Sequence, residues 1–481
     1  MARKTDEQVK NIWTLPSLFI LNATAMILEL VAARLLQPFL GSSNTVWTVI
    51  ISIMLLANAA GNWLGGRKWK RELTFAVLFM GSAVSDLALL ITGTSLEGAT
   101  GLNSGTTPLV IMSLVFISVP CTLSGMASPL ANTRLLTDSV DTGKKSGRIY
   151  VIITAGSLIG TVTGGLLLIP GIGTLATLAL CVTLLGGCGI AASILLKPAE
   201  ITACIVSVFT VISVVVVLKG NSADVKVVDT ADSHIKIYET EVDGEAVRVM
   251  EITGGFESAV FLDPDKRDEL VYGYPKVYDE VFRFTKGKDK TCMIGGAAYQ
   301  YPRHLIAHYP DKTIDVVELD PGVTETARKY FFLDDFLKEY GTDRIGLYNG
   351  DGRLFLKEGA DYDVVFNDAF LGEIPAKSLA TKEAVSVIKS AMKPDGIYAT
   401  NIIGKLREEG GRFIPEGFLG YELDTIADGF RYVWLYNAGT DEDMHGNYMV
   451  FASDIDYGFG GIAFEKGTCG VLTDTWFPIE K

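Results

Sequence analysis

The chain has 481 residues, of which 48% are hydrophobic, and its formal net charge at neutral pH is −14. This length leaves room for two or three domains, and the acidic excess lies after residue 220. Such a domain lacks the clustered lysine and arginine that bind nucleic acid, and the few histidines and cysteines show no metal-binding spacing. We therefore predict neither a nucleic-acid partner nor a bound metal.

Long apolar stretches fill the N-terminal part of the chain. A bilayer span needs roughly 20 mostly apolar residues. The predicted spans lie at about 13–36, 45–65, 73–93, 107–131, 149–170, 172–196 and 201–218. Residues 1–220 are therefore predicted to form a transmembrane helical domain, a membrane α-helical bundle of about seven spans.

Three ionisable side chains stand inside these spans: Glu29, Arg34 and Asp86. Charged groups at that depth are costly and usually face the interior of a bundle or a partner. We interpret them as helix contacts in preference to a transport pathway. Glycine-rich runs at 156–165 and 186–189 predict that helices approach each other closely.

The remainder of the chain changes character. A polar linker and three short alternating segments (234–239, 247–252 and 258–262) predict a small antiparallel β region over residues 221–265. From there, strands and helices alternate, which is typical of a parallel sheet with crossover helices. The predicted strands are 291–294, 313–318, 344–348, 363–367 and 396–402, with helices near 301–309, 321–331, 352–358 and 381–392. Residues 266–481 are predicted to form an α/β Rossmann-like domain.

The first two of these strands end in residues suited to a nucleoside. Gly295 and Gly296 follow the first strand, and small residues there let the backbone approach a ligand, although any tight turn favours glycine. Glu318 ends the second strand, where a carboxylate can accept hydrogen bonds from both hydroxyls of a ribose. Asp320 beside it is explained as the cap of a helix that begins at Pro321, and both interpretations can hold together.

The next two strands end in a similar way. Asp351, flanked by Gly350 and Gly352, could accept a hydrogen bond from an adenine amino group, although a glycine-flanked aspartate is also an ordinary turn. Asp368 follows the fourth strand, where it would face the ligand crevice and could take a proton from a nucleophile. Because these four strand ends follow in order, a nucleoside-binding crevice is predicted.

The same segments carry a resemblance to a known family. The segments are GGFESAVFLDP at 254–264, the stretch Tyr272–Tyr278, and then IGGAAYQYPRHL, VELDP, NGDGRLFL and YDVVFNDAFLGEIP. Together they resemble the spermidine synthase (polyamine aminopropyltransferase) family, whose fold is a small β domain followed by a methyltransferase-type domain. LELVAARLLQPFLGSSNTVWTVI and GRIYVIITAGSLIGTVTGGLLLIPGIG resemble the versions in which transmembrane helices precede the synthase-like domain.

The resemblance implies a role for particular side chains. Glu318 would bind the ribose, Asp351 the adenine, and Asp368 would orient or deprotonate an attacking amine. In the same way it implies cofactor-binding positions at Gly295, Gly296 and Gly352, substrate-binding positions at Glu257, Tyr272 and Tyr299, and a second catalytic acid at Glu373.

The chain also departs from the family pattern. Ala298 stands where the family has an aspartate expected to hold the amino end of the transferred group, and Leu371 stands where a second aspartate follows Asp368. Glu257 stands roughly where the family has a glutamine. A polycationic amine needs several carboxylates along its length, because each buried ammonium must be paired. We therefore expect retained binding of an adenosyl sulfonium together with an acceptor that is not a standard polyamine.

Three functions remain open at this point. The first is an enzyme that uses S-adenosylmethionine or its decarboxylated form as a substrate and cleaves its C–S bond by aminopropyl-type transfer, with methylthioadenosine as product. The second is methyl transfer from S-adenosylmethionine to a membrane or small-molecule acceptor. The third is a transporter or sensor whose soluble domain binds a nucleoside or polyamine. The expected partners are a small-molecule substrate and the lipid bilayer, and a homo-oligomer is left open.

The side of the membrane is ambiguous in the sequence. Basic residues near the N-terminus and in the loops at 67–71 and 144–148 place the N-terminus in the cytoplasm by the positive-inside rule. Seven crossings would then put the second half outside. An adenosyl sulfonium is made in the cytoplasm, so we expect a multi-pass protein of the cell membrane whose soluble domain is cytoplasmic, against the loop charges.

Overall fold

A computed structural model describes residues 2–40, 44–67, 74–97, 106–136, 142–196, 201–220, 225–230, 232–253, 255–371, 374–409, 412–440, 444–467 and 469–478. By the contacts between its residues the chain divides into two compact units, Met1–His234 and Ile235–Lys481. The basic stretch at 68–71 and the candidate acid Glu373 lie outside the described residues.

The first unit is helical, and a helix lies at each of the seven predicted spans. The helices are α1 (Ala2–Leu40), α2 (Asn44–Gly65), α3 (Phe75–Glu97), α4 (Thr106–Leu136), α5 (Thr142–Thr163), α6 (Ile169–Ile172), α7 (Thr174–Leu196) and α8 (Ile201–Gly220). A π-helical turn, Gly164–Leu168, joins α5 to α6. Within the described residues, six helices are long and apolar enough to cross a membrane, and the apolar part of α8, Cys204–Val217, is shorter.

Glycines bring these helices into close contact. A Cβ added at Gly156 or Gly160 of α5 would lie 2.6 Å from the carbonyl oxygen of Phe19 or 2.3 Å from that of Ala23, both on α1. The absence of a side chain therefore lets the two backbones touch, as the glycine-rich run predicts. The run at 186–189 acts similarly, because a Cβ at Gly189 would lie 2.6 Å from Ser207 Oγ on α8.

The second unit begins with a small antiparallel sheet. Its strands are β2 (His234–Val242), β3 (Glu245–Ile252) and β4 (Gly255–Phe261), and a further strand, β1 (Val225–Asp229), precedes them in the chain. Residue pairs such as Ile237 with Met250, and Val249 with Ala259, define the register. Alternate side chains of β3 and β4 form a small apolar core with Val271. This sheet agrees with the predicted β region.

A larger sheet forms the centre of the second unit. Its elements in chain order are α9 (Glu280–Phe284), β5 (Lys290–Ile294), α10 (Gln300–His308), β6 (Thr313–Glu318), α11 (Pro321–Tyr330), α12 (Leu333–Tyr340), β7 (Ile345–Asn349), α13 (Gly352–Leu356), β8 (Tyr362–Asn367), β9 (Phe370–Leu371), β10 (Ile374–Pro375), α14 (Lys377–Ala380), α15 (Lys382–Ser390), β11 (Met392–Glu409), β12 (Arg412–Glu416), α16 (Gly417–Gly429), β13 (Tyr432–Thr440), β14 (His445–Ser453) and β15 (Ile462–Ala463). The sheet order is β15-β13-β14-β11-β8-β5-β6-β7, with β12 paired to β11.

The order of the strands in this sheet reverses at one point. β11, β8, β5, β6 and β7 are parallel, whereas β14, β13 and β15 extend the sheet with antiparallel pairs. From β5 the chain moves outward to β6 and β7 and then returns to β8 on the other side of β5. The strand order therefore reverses between β5 and β8, which is where open α/β sheets bind ligands. The antiparallel extension and α12 were not predicted from the sequence.

Candidate functional site

The turn after β5 lies against the end of β8. Gly295 has a backbone φ of +95°, a left-handed conformation that favours glycine, and a Cβ there would lie 2.6 Å from the carbonyl oxygen of Asp368. The amide of Asp368 donates to the carbonyl of Ile294 over 2.9 Å, and the amide of Gly295 donates to that of Val317. The predicted glycine turn and the predicted acid are therefore neighbours at the point where the strand order reverses.

Glu318 holds the same turn from the other side. Its Oε2 accepts hydrogen bonds from the amides of Gly296 at 2.9 Å and Ala297 at 3.2 Å, and its Oε1 accepts one from Asp320 at 3.1 Å. Burial raises the pKa of Glu318, while these backbone bonds act in the opposite direction. A carboxylate can accept about four hydrogen bonds, and Glu318 already accepts three from the backbone. It can therefore accept one more from a ribose hydroxyl without losing a bond to the glycine turn.

Asp368 combines a raised pKa with hydrogen bonds that hold its carboxylate in place. Burial raises its pKa to about 6, although hydrogen bonds from Asn401 and Tyr274 favour the ionised form. Asn401 Nδ2 donates to Asp368 Oδ1 at 3.1 Å and also to Asn447 Oδ1 at 3.0 Å. Asp368 is therefore a carboxylate that is held in place and poised to exchange a proton near neutral pH.

A narrow cleft opens beside Asp368. Besides that acid, its lining contains main-chain atoms of the glycine turn and side chains that are apolar or uncharged: Ser258, Tyr274, Pro275, Met293, Gly295, Gly296, Ala297, Gln300, Tyr301 and Pro302. Among the described residues of this lining, Asp368 is the only acid. A ligand in this cleft would thus find a single carboxylate, with aromatic and amide groups around it.

Asp351 acts as a helix cap in this structure. Its side chain accepts a hydrogen bond from the amide of Leu354 at 2.9 Å at the N-terminus of α13. The preceding Gly350 donates its amide to the carbonyl of Glu318 at 2.9 Å, so Asp351 follows a turn fastened to the end of β6. The ordinary-turn interpretation is therefore satisfied, and contact with adenine stays a prediction. Asp320 likewise caps α11 by accepting from Gly322.

The predicted substrate ligands lie in different surroundings. Tyr299 is fully buried, and its hydroxyl forms a hydrogen bond of 2.9 Å with Thr324 Oγ1, so the side chain faces the core and does not line the cleft. Tyr272 packs on the apolar core of the small sheet. Glu257 lies in β4, but its side chain is outside the described part of the structure, as is the whole of Glu373. The roles of Tyr272, Tyr299 and Glu257 as substrate ligands, and of Glu373 as a second catalytic acid, stay predictions.

Ala298 and Leu371 stand where the family pattern has aspartates, and the structure describes the side chain of only the first. Ala298 is fully buried behind the glycine turn, so its methyl group does not contribute to the cleft surface. Ala297, one residue earlier, does line the cleft. The side chain of Leu371 is outside what the structure describes. The described wall of the cleft at the glycine turn is therefore uncharged main chain and methyl groups.

Sequence reasoning missed three residues of the site. Tyr274 lies in a 3₁₀ turn, Tyr274–Asp279, while Asn401 lies on β11 and Asn447 on β14. Tyr274 falls within a stretch that was singled out, but no role was assigned to it. Asn401 could have been found, because an amide in an otherwise apolar central strand needs a buried hydrogen-bond partner.

A histidine cluster lies on α10, away from the cleft lining. One ligand atom from each of Glu269, His304 and His308 falls within 4.8 Å of the others, a spacing that could admit a metal ion. However, His304 contacts the carbonyl of Asp268 and the carboxylate of Asp279, and His308 contacts the carbonyl of His304 and Glu269. Burial would lower the pKa of His304, but the Asp279 contact raises it. We interpret the cluster as an ion-pair network.

Comparison with known proteins gives a consistent result. Residues 276–405 match the family described as the spermine/spermidine synthase domain. The chain is 28% identical over 150 residues to a polyamine aminopropyltransferase of Vibrio vulnificus, which covers 30% of this chain and 48% of that protein. It is 31% identical over 137 residues to spermidine synthase 2 of Arabidopsis thaliana, covering 28% and 39%. The chain thus spans about half or less of the length of these relatives.

A solved structure also matches part of the chain. It is a probable spermidine synthase from Corynebacterium glutamicum, with a TM-score of 0.42 and 18% identity, and the similarity covers 54% of this chain and 100% of that one. The family match at residues 276–405 places a spermine/spermidine synthase domain in the C-terminal part of the chain and confirms the resemblance of the segments there. The resemblance of the N-terminal helices to membrane-fused versions stays a prediction.

Proposed function

We propose that this protein transfers an aminopropyl-type group from an adenosyl sulfonium to an acceptor, releasing methylthioadenosine. The observation that carries the proposal is Asp368, a half-buried carboxylate with a pKa of about 6 that lines the cleft beside the glycine turn. The two relatives are named polyamine aminopropyltransferase and spermidine synthase 2, and the matching domain covers this region. Asp368 follows the strand at which the sheet order reverses, the expected place for such a ligand.

The chemistry needed from the protein is modest. An attacking amine forms a bond to the carbon next to the sulfonium sulfur, the carbon–sulfur bond breaks, and methylthioadenosine leaves with the electron pair. The sulfonium is already a good leaving group, so the protein has to desolvate and align the two reactants. Asp368 would accept the proton that the amine loses, and a pKa near 6 keeps most of it ionised at neutral pH.

Within this proposal, the acceptor is not a standard polyamine. A chain with several ammonium groups would need several carboxylates in the cleft, because a buried unpaired charge is strongly unfavourable. Among the described lining residues, Asp368 alone carries a negative charge. An acceptor with one reactive amine and an otherwise uncharged or apolar body fits this lining best.

We further propose that intact S-adenosylmethionine is tolerated as the donor. The described cleft lining at the glycine turn carries no acid that would repel the carboxylate of the intact molecule, since Ala297 lines the cleft there and Ala298 is buried behind the turn. Calorimetry with both donors tests this point. Binding of the decarboxylated donor at least about tenfold more tightly than the intact one would contradict it, since that ratio requires a site built against the extra carboxylate.

The decisive experiment identifies the products. The full chain in detergent micelles is incubated with S-adenosylmethionine or its decarboxylated form and a panel of amines, and the products are separated by mass spectrometry. Methylthioadenosine together with an alkylated amine supports the proposal. S-adenosylhomocysteine would instead support methyl transfer, and binding of the donor with neither product would support a sensor.

We also propose that the helical unit anchors the enzyme in the cell membrane, with the catalytic unit in the cytoplasm. The support is the length and composition of the six apolar helices and the cytoplasmic origin of the donor. A reporter fused after Lys481 that is active only on one side of the membrane tests the orientation. Activity on the external side would contradict it.

A further inference from the structure

A buried carboxyl group that has no hydrogen-bond partner among the described residues lies in the core of the helical unit. Asp86 stands near the middle of α3, with 1% of its surface exposed. Among the described residues, neither Oδ1 nor Oδ2 of Asp86 has a hydrogen-bond partner. Buried carboxylates are normally paired or hydrogen bonded, so this group calls for an explanation of its own.

Apolar side chains surround Asp86 in the described part of the helical unit. α3 packs against α4, α7 and α8, and the core there contains Leu89, Leu90, Ile117 and Val182. Within the described part of the chain, no basic side chain forms an ion pair with Asp86. An ionised carboxylate in such surroundings is far less stable than a neutral one, because nothing replaces its lost hydration.

Polar groups nevertheless gather near Asp86. Ser82, one helical turn earlier on the same face of α3, is 2% exposed, and its hydroxyl has no partner among the described residues. The thiol of Cys121 on α4 lies within electrostatic reach of both Asp86 and Glu29 of α1.

We propose that Asp86 is an exchangeable proton-binding site in the core of the helical unit. The site consists of the Asp86 carboxyl and the Ser82 hydroxyl one helical turn away, both buried and both without a hydrogen-bond partner among the described residues. A carboxyl that served only as a helix contact would donate its proton to a neighbouring oxygen, as the hydroxyl of Ser85 does to the carbonyl of Phe116 at 2.8 Å. Asp86 has no such acceptor among the described residues.

Proton exchange at Asp86 would be independent of catalysis in the second unit. It gives the helical unit a chemical capacity, the uptake and release of a proton, in addition to any role as an anchor. The structure agrees with the predicted place of Asp86 inside the helical unit, but within the described residues its oxygens have no hydrogen-bond partner.

The experiment uses dicyclohexylcarbodiimide, an apolar reagent that reacts with protonated carboxyl groups. The carboxyl oxygen bonds to the central carbon of the reagent while the carboxyl proton moves to a reagent nitrogen, and the adduct rearranges to a stable acylurea. The full chain in detergent micelles is labelled across a pH series from mildly acidic to alkaline, digested and mapped by mass spectrometry. No turnover is needed, so the result does not depend on the proposed transferase activity.

We expect an adduct on Asp86 whose yield falls by at least about tenfold toward the alkaline end of the series, since the ionised carboxylate does not react. Asp86→Asn should lose this adduct. Ser85→Ala is the matched control: it changes the adjacent residue, whose hydroxyl is satisfied by Phe116, and should label like the parent.

Two outcomes would overturn the proposal. The first is that Asp86 of the unaltered protein carries no adduct at any pH while another carboxyl of the helical unit, such as Glu29, is labelled. The second is that Asp86 is labelled equally at every pH, which would mean a permanently neutral group with no exchange. Both readouts come from the unaltered protein, so they hold even if Asp86→Asn fails to fold.

Discussion

Asn401 donates a hydrogen bond from Nδ2 to Oδ1 of Asp368 over 3.1 Å, and so connects β11 to the end of β8. The same nitrogen also donates to Asn447 Oδ1 at 3.0 Å. The amide is thereby fixed between two strands and orients the carboxylate toward the cleft. Because the bond stabilises the ionised form of Asp368, Asn401 opposes the effect of burial on this acid.

Asn401→Ala should therefore weaken the proposed base. Loss of the bond, worth about 1–1.5 kcal/mol, should raise the pKa of Asp368 further and lower kcat/KM about tenfold near neutral pH. The acid limb of the kcat/KM profile, which is expected near pH 6, should move to higher pH. Asn437→Ala, at an exposed position of β13, is the control. An unshifted acid limb would show that Asn401 does not act on the base.

Asp368→Asn removes the proton acceptor while keeping the shape of the side chain. We expect kcat to fall by about 10²–10⁴, the usual contribution of a general base, with little change in donor affinity. Asp361→Asn is the matched control, because Asp361 is exposed and its φ of +52° suits asparagine. Steady-state rates and calorimetry on the same preparations separate the two quantities. A variant with full activity would exclude Asp368 as the base.

Gly295→Ala should distort the turn that carries the cleft. The new Cβ would lie 2.6 Å from the carbonyl oxygen of Asp368, at a backbone φ of +95°. The left-handed conformation alone costs about 1–2 kcal/mol for alanine, and the clash adds to it. Gly287→Ala separates the two effects, because Gly287 has a φ of +71° and open space around its Cβ position. Thermal unfolding should show a larger loss of stability for Gly295→Ala than for Gly287→Ala. Equal losses would show that the clash with the carbonyl of Asp368 does not contribute.

Glu318→Gln should weaken nucleoside binding. Both carboxylate oxygens of Glu318 accept hydrogen bonds from backbone N–H groups, three in total. In glutamine an NH₂ group replaces one of these oxygens, so it would face a backbone N–H group and lose that hydrogen bond. We expect a loss of about 1–3 kcal/mol in the affinity for methylthioadenosine, measured by calorimetry. Glu325→Gln on α11, which is exposed, should bind like the parent protein. Unchanged affinity in both variants would remove Glu318 from the nucleoside site.

Glu422 predicts an unusual dependence of stability on pH. It lies on α16, where burial raises its pKa to about 8, and among the described residues its Oε2 has no partner. Because the folded-state pKa is above the unfolded value of 4.5, the folded state binds the extra proton between these two pH values. Its contribution to stability is therefore complete below about pH 4.5 and falls as the pH rises toward about 8.

Glu422→Gln should remove this dependence. The variant should match the parent protein in acid and exceed it in stability above about pH 7, by on the order of 2 kcal/mol. Chemical denaturation across the pH range measures the difference. Glu416→Gln, a change at a partly exposed residue that precedes the same helix, serves as the reference. A variant that is less stable than the parent at every pH would show that the Glu422 carboxyl makes an interaction the amide cannot replace.

Much of the local structure follows from the sequence. β6 spans Thr313–Glu318 as predicted, and β8 ends at Asn367, one residue before the acid. Runs of apolar residues bounded by glycine, proline or acidic residues depend on neighbours only a few positions away, so they can be interpreted without the rest of the fold. The antiparallel strands after β11 were missed because their pairing depends on distant segments.

By itself, the sequence determined where the chain is apolar, where each parallel strand ends, and which acids stand at those ends, since side-chain chemistry and periodicity are local properties. Only the tertiary structure decided that β8 lies beside β5, so that Gly295 touches Asp368, and that Asn401 and Tyr274 complete the surroundings of this acid. It also decided that Asp86 has no polar contact within the described chain. These facts depend on which surfaces pack together over the whole chain, and no short stretch of residues encodes them.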